Sequence, residues 1–527
     1  MQWTRGWRDK AWNDLDQPWD LIIVGGGITG AGILRQAAHA NLRALLLEAD
    51  DFASGTSSRS SKLVHGGLRY LKNAQFKVTL ESVRERDYLL KQGRGLVNRL
   101  GFLYSCLDGD RMPGWVFGAG LTVYNLMAGQ WTHRSYDLDD TRELCPQLTT
   151  PALRGGYRYF DATTDDARLV LRLIREAVAD GGVALNYARV VSLLKTQNGQ
   201  VCGVVLRDTS GDAERQTELR AKVVVNATGA WADELRGAVQ QKPRMRPLRG
   251  SHLVLPFERL PITRAISFSH PRDGRPVMAI PWEGAILFGT TDVDHRSDLL
   301  TDPSISSSEA EYLVEALRFV FPEQELNFGD VLSTYSGLRP VVNTGKADPS
   351  KESREHAIWD ENGLLTVSGG KLTTFRIMAR DALKVARKYL GHVAFDVKTP
   401  VLDSLPPEAE IRFDESTLSP NQRLRLLARY GTESVSLFAA DFSYGLIPGT
   451  PYLWAELRHA ARAEGVIHLD DLLLRRVRLG LLAPNGGMDL LPRIRGIVQP
   501  ELGWDALRWE KESRGYAELW KRAYALN

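Results

Sequence analysis

Cysteine is scarce: three in 527 residues, at Cys106, Cys145 and Cys202. Their odd number and wide separation exclude a disulfide framework and a thiolate metal site, and point to a reducing compartment. Excess charge is also missing. A formal net charge of +3, from 67 basic and 64 acidic residues, excludes nucleic-acid binding by bulk electrostatics. No internal repeat or low-complexity tract occurs, and the opening MQWTRGWRDKAWNDLDQPWD has no apolar core, so no secretory signal is expected. What remains is an ordinary globular composition, 43% hydrophobic and 25% charged, long enough for two or three domains.

Long uncharged runs are equally rare. One, MPGWVFGAGLTVYNLMAGQWT, lies between Arg111 and His133. Pro113, the glycines, Asn125 and Gln130 argue against a spanning helix. Two readings stand: a buried helix–loop element, or a monotopic membrane contact. In the second, Trp115, Tyr124 and Trp131 lie at the interface, with Arg111 and Arg134 on the headgroups.

WDLIIVGGGITGAGILRQAAHANLRALLLEAD reads as strand, glycine turn, helix and strand. The apolar spacing predicts a helix over about 75–92 and another near 165–180, started by Asp165 and Asp166. Short strands follow at about 183–187, 190–196, 201–207 and 219–225. Residues 246–340 are strand-rich with one helix at about 307–321, and from about 400 the chain turns helical.

Gly25, Gly27 and Gly30 fit GxGxxG directly after a strand and at the start of a helix. They permit a tight turn, backbone approach to a pyrophosphate and close helix–strand packing, while the helix start at Ile28 offers free N–H groups. Glu48 closes the second strand, where an acid binds ribose hydroxyls. The motif alone does not separate NAD from FAD. The stretch TSSRSSKLVHGGLRYL, residues 56–71, favours FAD: Thr56, Ser57 and Ser61 are placed to serve a long cofactor's pyrophosphate and ribityl chain. Ala227 and Gly229 end another strand where the chain passes under the cofactor. Gly370, Leu372 and Thr373 begin a late helix whose amides face the flavin's pyrimidine end. Leu63 and His65 complete the expected cofactor set.

GGGITGAG, GTSSRSSKLVHGGLRYL, NATGAW, GSHLVLP, GTTD, YSGLRP and GGKLTTFR occur in an order that resembles the FAD-dependent, quinone-linked glycerol-3-phosphate dehydrogenases, from about residue 18 to 385. The resemblance implies an α/β (α+β) fold: a glutathione-reductase-type FAD-binding Rossmann domain, an antiparallel-sheet substrate domain and a helical C-terminal cap. The FAD parts are expected at about 18–100, 150–232 and 362–385, the substrate part at about 233–361 and the cap at 400–527. The implied reaction oxidises sn-glycerol 3-phosphate to dihydroxyacetone phosphate, with electrons passing to a quinone. The implied location is cytoplasmic, peripheral on the inner face of the cell membrane, and a homodimer is one admissible assembly.

Phosphate recognition calls for arginine forks. Arg69 and Arg339 match the family's substrate arginines; Arg354, in KESREHA, is a third candidate on a less distinctive sequence. His252 in GSHLVLP suits removal of the hydroxyl proton, its bland alternative being a hydrogen-bonded strand histidine. Lys371 fits phosphate binding, neutralisation of reduced flavin or a base, and Asp292 fits fixing a turn or orienting a neighbour rather than accepting a proton. Phe375 stands where many relatives have tyrosine, no EF-hand loop is present, and no oxidase-type insertion is evident. The rivals are an O2-using glycerol-3-phosphate oxidase, an amine or amino-acid oxidase of the same superfamily, and an FAD-binding redox sensor or scaffold.

Overall fold

The computed structural model describes residues 3–68, 75–129, 132–211, 215–345, 352, 355–391, 393, 399–407, 418–439 and 445–526. Trp19–Val24 is apolar on both faces and lies mid-sheet, as a parallel strand covered on both sides must. The sheet order is His356–Glu361, Leu364–Gly369, Gln216–Asn226, Trp19–Val24, Ala44–Leu47, Val183–Leu185. All neighbours are parallel except the His356–Glu361 edge. Helices Ile28–His39, Asp166–Ala179 and Phe375–Leu390 pack together against it. Asp165 caps the second of these by accepting the Arg168 N–H, as its sequence predicts.

A second, ten-stranded sheet contains Met245–Pro256, flanked by Ala285–Gly289 and Ser333–Val342, both antiparallel to it. It also takes in Val97–Leu107 and Leu153–Thr164, and one of its pairings, Ala265–Ser269 with Val97–Leu107, is parallel. Helix Ser307–Val320, started by a capping box of Ser306 and Glu309, packs against Met245–Pro256.

The C-terminal part contributes helices Pro420–Tyr430, Trp454–Ala463, Leu491–Leu502 and Ala506–Ala523 and a π-helical turn, Asp471–Arg476. Buried charges hold it to the first sheet's side. Arg475 Nε and Arg476 NH2 donate to Asp51 at 2.5 and 2.8 Å, and Arg478 and Arg429 reach Asp165 at 2.8 and 3.0 Å. A shared core of Tyr335, Trp282, Leu457 and Leu473 fills the space against the second sheet.

The long uncharged run folds as helix Gly114–Ala128, and among the described residues no helix is long and apolar enough to cross a membrane. Tyr124 turns inward, accepting from Arg86 at 2.8 Å and donating to Asp161 at 3.1 Å, so it does not stand at an interface. Trp115 and Leu126 point outward, 73% and 66% exposed. Trp131 lies outside the described residues.

Candidate active site

The glycine turn after Trp19–Val24 packs directly on the chain leaving Gln216–Asn226: a Cβ on Gly25 would stand 2.6 Å from the Ala227 carbonyl oxygen. Ala227 N–H donates back to the Val24 carbonyl at 2.8 Å. At the helix start, the Ile28 N–H donates to Ser57 Oγ at 2.9 Å, leaving the serine's own proton available to an anion. A Cβ on Gly27 would lie 3.1 Å from the same oxygen. Glu48 accepts from Gly26 N–H at 2.6 Å and Asp50 N–H at 3.0 Å. Burial, with repulsion from Asp50, pushes its carboxyl up to about 7. These are the features a dinucleotide needs: bare backbone, an amide-rich helix end and a carboxylate on the ribose side.

From there the hydroxyl-rich stretch crosses between the two sheets. Thr56 Oγ1 donates to the Leu338 carbonyl. Ser61 Oγ lies 2.8 Å from His252 Nε2. Leu63 pairs with Thr163 in a two-residue strand. His65 N–H donates to Thr373 Oγ1 at 3.1 Å, and that hydroxyl donates to the His65 carbonyl at 3.2 Å. One segment therefore links the glycine turn, the candidate base and the late Gly370–Thr373 turn, where Leu372 opens a 3₁₀ turn. Gly229 opens the corresponding turn after Asn226. Ser61 and Thr56, expected to serve the cofactor, engage protein partners here.

His252 lies opposite both Gly289 and Tyr335 in the second sheet. A Cβ on Gly289 would stand 2.6 Å from its Cδ2, and the Tyr335 ring stacks on it at 4.7 Å and 12°. Burial, then the positive charges of Arg339 and Lys62, hold its pKa well below the usual histidine value.

Arg339 lies four residues beyond Tyr335 on the same strand face, and its guanidinium folds over Gly250, where a Cβ would stand 2.3 Å from NH2. Arg339 NH1 donates to Asp292 Oδ1 at 3.0 Å and NH2 to Thr290 Oγ1 at 3.0 Å. Asp292 thus orients a neighbour. Glu309 braces the turn by accepting from Thr291 Oγ1 at 2.7 Å and Ser251 Oγ at 2.9 Å. Lys371 Nζ donates to Ser82 Oγ at 2.9 Å. Arg69 and Arg354 lie outside the described residues.

Sequence reasoning missed Tyr335, Glu309 and the buried Lys62–Asp166 pair, whose Nζ donates to both carboxylate oxygens at 2.9 Å. It also missed Gly250 and Gly289. A glycine inside a strand pattern signals a close neighbour, and both glycines sat in the quoted motifs.

Residues 20–381 match the family described as FAD dependent oxidoreductase, and residues 381–508 the C-terminal domain of alpha-glycerophosphate oxidase. Glycerol-3-phosphate dehydrogenase 2 of Mycobacterium tuberculosis is 35% identical over 97% of this chain and 89% of its own length. The aerobic glycerol-3-phosphate dehydrogenase of Bacillus subtilis is 36% identical over 73% of this chain and 69% of its own. The FAD-complexed crystal structure of the glycerol-3-phosphate dehydrogenase from Bacillus halodurans superposes with a TM-score of 0.80 at 27% identity, covering 99% of this chain and 98% of that one.

Proposed function

Because this chain belongs to the FAD dependent oxidoreductase family, among its glycerol-3-phosphate dehydrogenases, we propose that it oxidises sn-glycerol 3-phosphate to dihydroxyacetone phosphate on a bound FAD. The observation that carries this reading is the segment 56–65, which ties the dinucleotide turn to His252 and to the late glycine turn through Ser57, Ser61 and His65. Bound FAD supplies the acceptor for the hydride leaving the secondary carbon. Gly25, Gly27, Ile28, Ser57 and Glu48 are the residues that would hold its pyrophosphate and ribose end, and the Gly370–Thr373 turn its far end. His252 takes the hydroxyl proton, and Arg339 grips the phosphate with Arg69 and Arg354 as further cations. Lys371 stands at the start of the late helix as a third kind of contact, to anion or flavin.

The acceptor we assign is a quinone, met at a membrane surface by the outward face of helix Gly114–Ala128, where Trp115 and Leu126 are exposed and Arg111 is adjacent in sequence. Anaerobic mixing of the yellow protein with glycerol 3-phosphate should bleach the flavin, and re-oxidation should be faster with a quinone than with oxygen. A flavin that stays yellow would end the substrate reading.

Arg339→Lys tests the phosphate grip. It keeps the charge but loses the planar fork. Loss of a charge-assisted hydrogen bond of about 1.5–3 kcal/mol should lower kcat/KM roughly ten- to a hundredfold. Slow turnover of glycerol, which has no phosphate, should hardly change. An equal defect on both substrates would assign Arg339 to fold or cofactor instead.

A further inference from the structure

His252 is only 2% exposed. Tyr335 covers one face of its ring, Gly289 lies against its Cδ2 edge, and Nε2 is occupied by Ser61. Nδ1 is buried and has no hydrogen-bond partner among the described residues. A substrate hydroxyl therefore has no open approach to the imidazole. Ser61, by contrast, is only half-buried and already holds Nε2.

We propose that Ser61 is the residue that touches the reacting hydroxyl, and that it carries the proton to His252. This rests on the substrate reading given above. The alcohol proton passes to Ser61 Oγ as the serine's own proton passes to His252 Nε2, and the carbon–oxygen double bond forms as the hydride leaves carbon for oxidised FAD. The alcohol loses one proton and one hydride, the serine ends as it began, and the imidazole holds the proton until it is released to solvent. For Nε2 to accept, the neutral ring carries its hydrogen on Nδ1.

The architecture around the pair is that of a held relay. Ser60 N–H and Oγ donate to Asp166 Oδ2 at 3.1 and 2.7 Å, and Lys62 Nζ donates to the same carboxylate. The residues on either side of Ser61 are thereby fixed to one buried acid. Tyr335 fixes both partners: its ring stacks on His252 while its hydroxyl donates to the Ser60 carbonyl at 2.9 Å. The serine–imidazole distance is set from both ends before substrate arrives, as efficient proton transfer requires. Phosphate binding at Arg339 would also offset one of the charges that disfavour the imidazolium, so the base gains proton affinity with substrate in place.

The test is stopped-flow reduction of the holoenzyme flavin by glycerol 3-phosphate under anaerobic conditions, in native protein, Ser61→Ala, Ser61→Thr, His252→Ala and the double variant Ser61→Ala/His252→Ala. Ser61→Ala should retain FAD and slow the limiting reduction rate roughly 10²–10³-fold without weakening the apparent substrate Kd. Ser61→Thr, which keeps a hydroxyl, should recover most of the rate. The double variant should be no slower than His252→Ala, because the two groups act as one unit. The relay is overturned if Ser61→Ala matches native protein, if the two defects multiply, or if Ser61→Ala purifies without FAD, which would give the hydroxyl to the cofactor. Native flavin that substrate fails to bleach would overturn the substrate reading and the relay with it; native bleaching matched by Ser61→Ala overturns the relay alone.

Discussion

Gly25→Val yields a chain that purifies colourless. Gly25 has φ +112°, a backbone conformation that a β-branched residue cannot adopt without strain, and its Cβ would lie 2.6 Å from the Ala227 carbonyl oxygen. Both effects act at the turn that aims the Ile28 amide. To fit a valine, the Trp19–Val24 strand and the chain after Asn226 must separate, which also breaks the Ala227 N–H to Val24 bond. Gly27 and Ile28, which with Ser57 would hold the FAD pyrophosphate, follow directly on this turn, so the loss falls on FAD first. Flavin released by denaturation should be below about a tenth of one per chain, which at stoichiometric FAD is a loss of roughly 4 kcal/mol in binding relative to a native protein about nine-tenths occupied. Circular dichroism should still report the helices. Native flavin content in this variant would remove the glycine turn from the cofactor site.

The second large effect is on stability. Asp51 is fully buried, and Arg475, Arg476 and Asn186 all donate to its carboxylate. Asp51→Ala leaves Arg476 in the interior without its acid, while Arg475 keeps Asp470 and Asp471; removing one partner of a buried pair in this way costs about 3–5 kcal/mol. Thermal unfolding should begin several degrees earlier, with the helical C-terminal part separating first because these ion pairs join it to the loop after Ala44–Leu47. The acid limb gives an independent reading. Burial disfavours the Asp51 carboxylate, but Arg476 and Arg475 outweigh it and hold the pKa at about 2, below its unfolded value. The group therefore stabilises the fold above about pH 4, and this contribution disappears as pH falls toward 2. Asp51→Ala should flatten that limb of the stability curve. An unchanged acid limb and melting profile would show the arginines to be compensated elsewhere.

The parts of this architecture that could be read from sequence are those whose signal is local. The strand–glycine–helix unit at 20–40, the carboxylate at Glu48 and the helix predicted at about 307–321, found at Ser307–Val320, each depend on residues within one or two turns of chain. The pairing of His252 with Tyr335 is different. It is set by strand register across some eighty residues, and no periodicity announces which aromatic lies opposite. The same holds for Lys62 with Asp166 and for Arg475 and Arg476 with Asp51, where an ordinary-looking charge becomes an interior one only through distant packing. The hydroxyl-rich stretch was legible as a functional loop, but not the division of its labour. Ser57 faces the glycine turn, whereas Ser61 faces His252, and that choice is made by the path of the loop between two sheets.

The central sheet also sets a timetable for the ribosome. Trp19–Val24 and Ala44–Leu47 can pair soon after they emerge, yet the strands that close the other side, Gln216–Asn226 and Leu364–Gly369, arrive much later. Roughly 320 residues separate Leu47 from Leu364, which at about 5–20 residues per second is on the order of 15–65 s of synthesis. Until Gln216–Asn226 is made, about halfway through that interval, the apolar edge at Leu21–Val24 has no native neighbour, and from then until Leu364–Gly369 arrives the new strand is itself the open edge; a nascent chain this exposed is a natural client for holdase chaperones. Yield in a recombinant host should therefore respond to translation speed and growth temperature more than to the melting point of the finished protein.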